Sequence, residues 1–189
     1  FNTNGGFTLV AKFKFSGSAS GAEMILAVAG VGINLYFKRH SDLTMQMHVQ
    51  YNDPDLGTKL CNLYNVPSVA QNAESTAIVF VNLGAKTVSL DLSGVQHTAS
   101  CDTGFTLPDI FCGYNQVGNG FWATDGEYFN GVIHGVYWYD RVLSGAAAAD
   151  VLSRIKVDAL DTVGDRCNAA DANCQVSISY WSIRKSTCP

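Results

Sequence analysis

The sequence predicts an all-β fold, two antiparallel sheets packed as a sandwich, with one short helix toward its C-terminal side. Three observations carry this. Hydrophobic residues fill 47% of the 189 positions and charged residues only 15%, with 18 glycines, so the polar surface is built mainly from Ser, Thr, Asn, Gln and Gly. That balance suits β-sandwiches better than helical bundles, which draw on Glu, Lys, Leu and Ala. Several segments alternate apolar and polar residues with a period of two, and Gly-rich turns separate them.

The first strand places Phe7, Leu9, Ala11, Phe13 and Phe15 on one face and Thr8, Val10, Lys12 and Lys14 on the other. After the breaker Ser16-Gly17-Ser18-Ala19-Ser20-Gly21, residues 24–29 form a continuous apolar strand. Ile33, Leu35 and Phe37 then alternate with Asn34, Tyr36 and Lys38. The clearest alternation sets Leu43, Met45, Met47, Val49 and Tyr51 against Thr44, Gln46, His48 and Gln50. Asn52-Asp53-Pro54-Asp55-Leu56-Gly57 is a turn cluster, and from there to Ala73 no clean period survives, so the segment reads as a long loop pinned through Cys61. Residues 76–82, the turn Gly84-Ala85-Lys86 and the alternation of Val88, Leu90 and Leu92 with Thr87, Ser89 and Asp91 spell a hairpin.

Residues 110–114 read as a short strand, 118–126 as a Gly-rich loop and 128–139 as an apolar strand. Ile133 and Val136 are three apart, which predicts a bulge or a strand contacted on both faces. The helix follows. Ser144 suits an N-cap, and Ala146 to Ala149 with Val151, Leu152 and Ile155 supply propensity and an apolar stripe. Short strands of this number with one late helix indicate two antiparallel sheets that cover their edges as a jelly roll. Beyond Val157 the chain is acidic (Asp158, Asp161, Asp165, Asp171) and cysteine-rich, with a last alternation at Val176, Ile178 and Tyr180. The organisation expected is a jelly-roll domain over 1–156 and a cysteine-rich extension over 157–189, packed on it or following it.

Six cysteines stand at 61, 101, 112, 167, 174 and 188, none in CxxC spacing. An even number at wide spacing predicts disulfides and an oxidising, secreted or extracellular setting. Fifteen pairings are open, with a small local loop between Cys167 and Cys174 expected. The net charge is −4 and the Lys and Arg residues are scattered, so no basic stripe exists to collect nucleic-acid phosphates. No apolar run reaches membrane-spanning length, so membrane insertion is not expected. The opening Phe1-Asn2-Thr3-Asn4-Gly5-Gly6 reads as the start of a mature or excised piece of a longer protein.

The segment from Phe129 to Ser144 resembles the closing motif of laminin G-like jelly rolls, relatives of the concanavalin A-like lectins and glucanases. The pattern is F-x-G-x-I-x-x-V-x-φ-Y-x-R-x-L-S, matched by Phe129, Gly131, Ile133, Val136, Tyr139, Arg141, Leu143 and Ser144. Phe7 to Phe13 is similar to that family's first strand and Val88 to Val95 to its central hairpin, so the resemblance covers about 7–156. It implies a close backbone approach at Gly131, a turn anchored by Tyr139 and Arg141, and an extracellular binding module. Many members carry acidic residues where His134 and Gly135 stand here. The remaining candidates for calcium are Asp53, Asp55, Asp125 and Glu127, in loops where Asp is also an ordinary turn former. No cofactor is required, and the metal assignment stays open.

Catalysis needs residues that do not assemble in the sequence. A retaining glycosidase needs two carboxylates about 5 Å apart, but Asp91, Glu23 and Glu74 stand singly and no nucleophile and base can be named, so no catalytic residue is assigned. Lyases of this fold resemble one another in an Arg, Gln, His and Tyr cluster. Gln46, His48, Gln50 and Tyr36 are similar to it only superficially, and a solvated strand face accounts for them. Recognition is placed instead on the Gly-rich loop 113–127, where Asn115, Asn119, Trp122, Asp125 and Glu127 could form a carbohydrate-binding rim. The competing reading folds Phe121 and Trp122 back over the sandwich edge. The function expected is a non-catalytic, lectin-like module within a larger adhesion or surface protein. Its partner would be a glycan or an extracellular protein, including neighbouring domains of the same longer chain. The alternative is a protein adhesion or assembly domain.

Overall fold

The computed structural model describes residues 5–16, 22–30, 32–40, 42–67, 69–108, 114–118, 129–154 and 176–178, with backbone alone at 114–116, 154 and 176–178. The elements are β1 (Gly6–Phe15), β2 (Glu23–Gly30), β3 (Ile33–Arg39), β4 (Thr44–Asp53), β5 (Gly57–Pro67), β6 (Glu74–Asn82), β7 (Thr87–Leu92), β8 (Val95–Ser100), β9 (Tyr114–Val117), β10 (Gly131–Tyr139), α1 (Gly145–Arg154) and β11 (Val176–Ile178). One sheet has the order β11-β10-β1-β6-β7-β8 and the other β5-β4-β3-β2-β9. Neighbours are antiparallel except β10 and β11, which run parallel. This is the all-β, two-sheet sandwich with one short helix that the alternating segments predict.

The core forms where the inward positions of both sheets meet. Phe7, Leu9, Phe13 and Phe15 of β1 and Val79 and Val81 of β6 face Leu35 and Phe37 of β3 and Met45, Met47 and Val49 of β4, all fully buried. One charged pair sits among them. Arg39 continues the inward row of β3, stands 3.8 Å over the Phe15 ring, and donates from Nε to Glu23 Oε2 at 2.5 Å. Burial pushes the Glu23 carboxyl up, against the lowering charge and hydrogen bond of Arg39.

The segment expected to be a long loop holds β5 instead. Its apolar residues Cys61, Leu63 and Val66 are buried at spacings of two and then three. A bulge causes the slip: Leu63 is opposite Met47 and Val66 opposite Met45, so Tyr64 and Asn65 together face Gln46, with Asn65 at a φ of 57°. The disulfide exists, joining Cys61 to Cys101. Cys61 belongs to the edge strand of one sheet, and Cys101 directly follows β8, the edge of the other, so the bond ties the two sheets along one side. Backbone bonds extend this seam, with Asp102 N–H donating to Leu60 O at 2.8 Å and Leu60 N–H to Asp102 Oδ2 at 2.9 Å.

The closing motif behaves largely as its residues require. Gly131 has a φ of 151°, and a Cβ there would lie 2.0 Å from the carbonyl oxygen of Lys14, so only glycine fits. Lys12 is opposite Gly135 and Phe13 opposite Ile133, which makes His134 the extra residue of the bulge that the Ile133–Val136 spacing predicts. The turn after β10 is anchored differently from expectation. Thr8 Oγ1 donates to Arg141 O and accepts from Leu143 N–H, both at 2.9 Å, while the Arg141 side chain is exposed. Tyr139 packs with Val10, Ile78, Leu143 and Ala148, the cluster by which α1 covers the outer face of the six-stranded sheet. Ser144 Oγ accepts from Ala147 N–H at 3.2 Å, as an N-cap does.

Of the strand expected at 110–114, only Tyr114 is described, and it opens β9. Residues 176–178 pair with Gly131, Val132 and Ile133 at the edge of the six-stranded sheet. The rest of the extension, with Cys167, Cys174 and Cys188, lies outside the described residues, as does Cys112.

Candidate functional site

The outward positions of the five-stranded sheet gather the polar residues that alternate with its core. Antiparallel register sets Tyr36 opposite His48, His48 opposite Asn62, and Lys38 opposite Gln46. The bulge in β5 adds Tyr64 to this group. Tyr36 and His48 stack with ring centroids 4.5 Å apart and planes 9° from parallel, and Lys38 Nζ lies 4.7 Å from the Tyr36 ring. Gln46 Nε2 donates to Tyr36 Oη at 3.3 Å, and Asn62 Nδ2 donates to Tyr64 Oη at 2.6 Å. Tyr64 Oη and His48 Nδ1 are 3.4 Å apart, and Gln50 Nε2 donates to Asn52 Oδ1 at 3.2 Å.

This face is not the freely solvated one that period-two reasoning assigns to it. Gln46, His48 and Lys38 are only 6–8% exposed, whereas Tyr64 is 48% exposed. Lateral stacking and hydrogen bonding among close-packed polar groups thus produce a fixed polar layer with an open aromatic beside it. Burial lowers the His48 pKa below its ordinary 6.5, and the charge of Lys38 acts in the same direction against a hydrogen bond with Gln50. The Tyr64 phenol is pushed up by burial, opposed by a bond from Gln46.

A pH dependence follows. The unfolded chain binds a proton at His48 near pH 6.5, while the folded protein resists protonation until a lower pH. Between those values the unfolded state holds more protons, so stability falls as pH falls. His48→Gln removes that contribution, and the loss of unfolding free energy between pH 7.5 and 5.5 should be smaller in the variant than in the wild type by urea titration.

Of the carboxylates singled out in the sequence, Asp53, Asp91 and Glu74 each have a local partner. Asp53 Oδ1 accepts from the backbone N–H groups of Asp55 and Leu56, both at 2.9 Å, and Oδ2 accepts from Thr106 Oγ1 at 2.8 Å. The Thr106 bond, followed by the two backbone bonds, lowers its pKa. Asp53 therefore closes the β4–β5 turn, and Asp55 lies within that turn. Asp91 Oδ1 accepts from Gly94 N–H at 2.8 Å, and Glu74 Oε2 lies 2.8 Å from His134 Nε2. Among the described residues no group of three or more His, Cys, Asp or Glu side chains is placed to hold a metal ion.

Of the loop residues expected to bind ligand, Asn115 is in β9, where its backbone is opposite Val28. Asn119, Trp122, Asp125 and Glu127 lie outside the described residues. The two ends of their segment meet: Gly118 N–H donates to Ile25 O at 3.1 Å and Phe129 N–H to Gly118 O at 3.0 Å. The strand from which that segment departs belongs to the polar sheet, with Gln116 opposite Ala27 and Ala27 opposite Tyr36. Sequence reasoning missed Asn62 and Tyr64 because the bulge erases the alternation that would have put them on this face.

No protein-family model matches the chain, and no curated protein matches it. Solved structures do. The chain is similar to the Ruminococcus gnavus IT-sialidase CBM40, with a TM-score of 0.57 and 16% identity over 77% of this chain and 81% of that one. It is also similar to a SAP-like pentraxin from Limulus polyphemus, with a TM-score of 0.52 and 13% identity over 77% and 68% of the two chains. The fold is a two-sheet jelly roll. A leech intramolecular trans-sialidase matches at a TM-score of 0.54 and 12% identity, the match covering 84% of this chain but 25% of that one. The CBM40 has also been solved bound to α2,6 and α2,3 sialyllactose. At these identities the likeness is one of fold, in which the jelly roll here shares its two-sheet architecture with proteins of several activities.

Proposed function

We propose that this protein is a non-catalytic carbohydrate-binding module of an extracellular protein, with the outer face of the five-stranded sheet as its glycan site. The observation that carries this reading is Tyr64. Its ring is half exposed while its hydroxyl is held by Asn62 at 2.6 Å and faces His48 at 3.4 Å, which makes it a fixed aromatic platform beside the stacked Tyr36 and His48. Sugar rings present C–H faces to such platforms and hydroxyls to neighbouring amides, here Gln50 and Asn62. A preordered site loses little side-chain entropy on binding. The carbohydrate-binding modules of similar fold support the reading. Trp122, with Asn115 of β9 and Asn119, Asp125 and Glu127 of the segment that follows it in sequence, is proposed as a rim to the same site.

A glycan array run with and without a chelator identifies the ligand and any calcium requirement in one step. Tyr64→Ala is expected to weaken binding of the selected glycan by about tenfold or more, the loss typical of one stacking contact. Trp122→Ala should weaken it as well, and an unchanged signal in that variant removes the loop from the site. Capture of a protein without competition by sugar, on an array showing no glycan signal, would establish the adhesion reading instead.

A further inference from the structure

We infer that a hydrogen-bond relay running from the Val49 backbone through Asn62 and Tyr64 fixes the proton of His48 on Nε2, so that Tyr64 and Asn62 are positioning residues for this face. The Val49 backbone N–H can only donate, and it lies 3.1 Å from Asn62 Oδ1. That bond settles which end of the Asn62 amide is oxygen, a choice that carboxamides otherwise leave open. The Nδ2 end therefore points at Tyr64 Oη, 2.6 Å away, and donates to it.

With its oxygen receiving the Asn62 proton, the Tyr64 hydroxyl has one proton of its own to place, and the acceptor facing it is His48 Nδ1 at 3.4 Å. An Nδ1 that accepts must be bare, and a neutral imidazole with a bare Nδ1 carries its hydrogen on Nε2. Stacking on Tyr36 fixes the plane of the ring, so the relay fixes what that plane offers. His48 then presents a donor to its surroundings, and the group it can serve is an acceptor oxygen: the carbonyl of a carboxamide such as Gln50, or a hydroxyl, ring or carboxylate oxygen of a ligand. The ligand part of the inference rests on the glycan-binding reading, whereas the tautomer does not.

The test uses long-range proton–nitrogen correlation spectra of the uniformly labelled full chain at a pH above the titration of His48. In the wild type, Nδ1 of His48 should resonate as an unprotonated ring nitrogen and Nε2 as a protonated one. Tyr64→Phe removes the proton donor while keeping the ring, and should raise the Nδ1-protonated population. Asn62→Asp gives the sharper outcome. The new carboxylate still accepts from Val49 N–H but now also accepts the Tyr64 proton, so Tyr64 Oη turns to accept from His48 and the proton moves to Nδ1. A wild type protonated on Nδ1, or an Asn62→Asp variant that keeps the wild-type tautomer, overturns the relay. Binding of the array-selected glycan should fall about tenfold in Tyr64→Phe. Unchanged glycan affinity in a Tyr64→Phe variant whose tautomer has shifted would overturn the link to ligand recognition while leaving the relay in place. A protein that binds no glycan but shows the expected tautomers would remove the proposed function, not the relay.

Discussion

Glu23→Ala is expected to destabilise the protein by about 3–5 kcal/mol, the range for removing one partner of a buried ion pair. The side chains of Glu23 and Arg39 are 4% and 1% exposed, so the variant would leave a guanidinium against Phe15 with neither water nor a counter-charge. Glu23 does a second job, since its Oε1 accepts from the Asn130 backbone N–H at 3.3 Å, where the chain enters β10. Burial and attraction to Arg39 pull its pKa in opposite directions, which is why the pair is costly to break rather than strongly stabilising as a pair. The double variant Glu23→Leu with Arg39→Met should therefore recover most of the lost stability. Urea denaturation at neutral pH measures both, and a Glu23→Ala loss below about 1 kcal/mol would mean that water reaches Arg39.

Removing the Cys61–Cys101 disulfide by paired Ala substitution is expected to cost about 4 kcal/mol, from the loop-closure entropy of a bond spanning 40 residues. For a chain of this size that corresponds to a fall in Tm of about 8–16 °C. The location of the bond explains why the loss should approach the full entropic value. It joins the edge strand of one sheet to the end of the edge strand of the other, so that without it the two edges are linked covalently only through the 40 residues of chain between them. A thermal scan of the variant checks this, and an unchanged midpoint would mean that the 101–107 segment, pinned by Asp102 and by Lys86 donating to Phe105 O at 2.6 Å, closes the seam alone.

Much of this fold is legible in the sequence, because a half-buried strand writes its two faces as alternating residues. Residues 7–15, 33–39 and 44–51 do so cleanly, and each is a strand whose inward apolar residues are buried, Tyr51 only in part; Leu43, expected in the same row, precedes β4 at a φ of 66° and is 43% exposed. The Ile133–Val136 spacing disclosed a bulge, and Ser144 a helix start. β5 escaped for the converse reason: its bulge at Tyr64 and Asn65 shifts the period, and an edge strand has only one neighbour to enforce apolar choices. β8 is also an edge, and its residues are mostly exposed or partly exposed, so Val95 to Ser100 offers no apolar row to detect.

The candidate site was half visible. Tyr36, Gln46, His48 and Gln50 stand out as a polar row, but alternation alone cannot distinguish side chains facing bulk water from side chains packed against one another. That difference depends on register, which stacks Tyr36 on His48, and on the bulge, which brings Tyr64 and Asn62 to the same place. Neither is written in a local window of sequence. The Gly-rich loop drew attention through composition, whereas the sheet face drew its importance from pairings between strands.

Glycan binding on the outer face of the five-stranded sheet can be followed through the side-chain ring resonances during a titration with the array-selected glycan. The Tyr64 and His48 ring signals should shift together and saturate with the same affinity as the binding curve. Saturable binding that leaves both rings unmoved while signals elsewhere in the chain shift would contradict it.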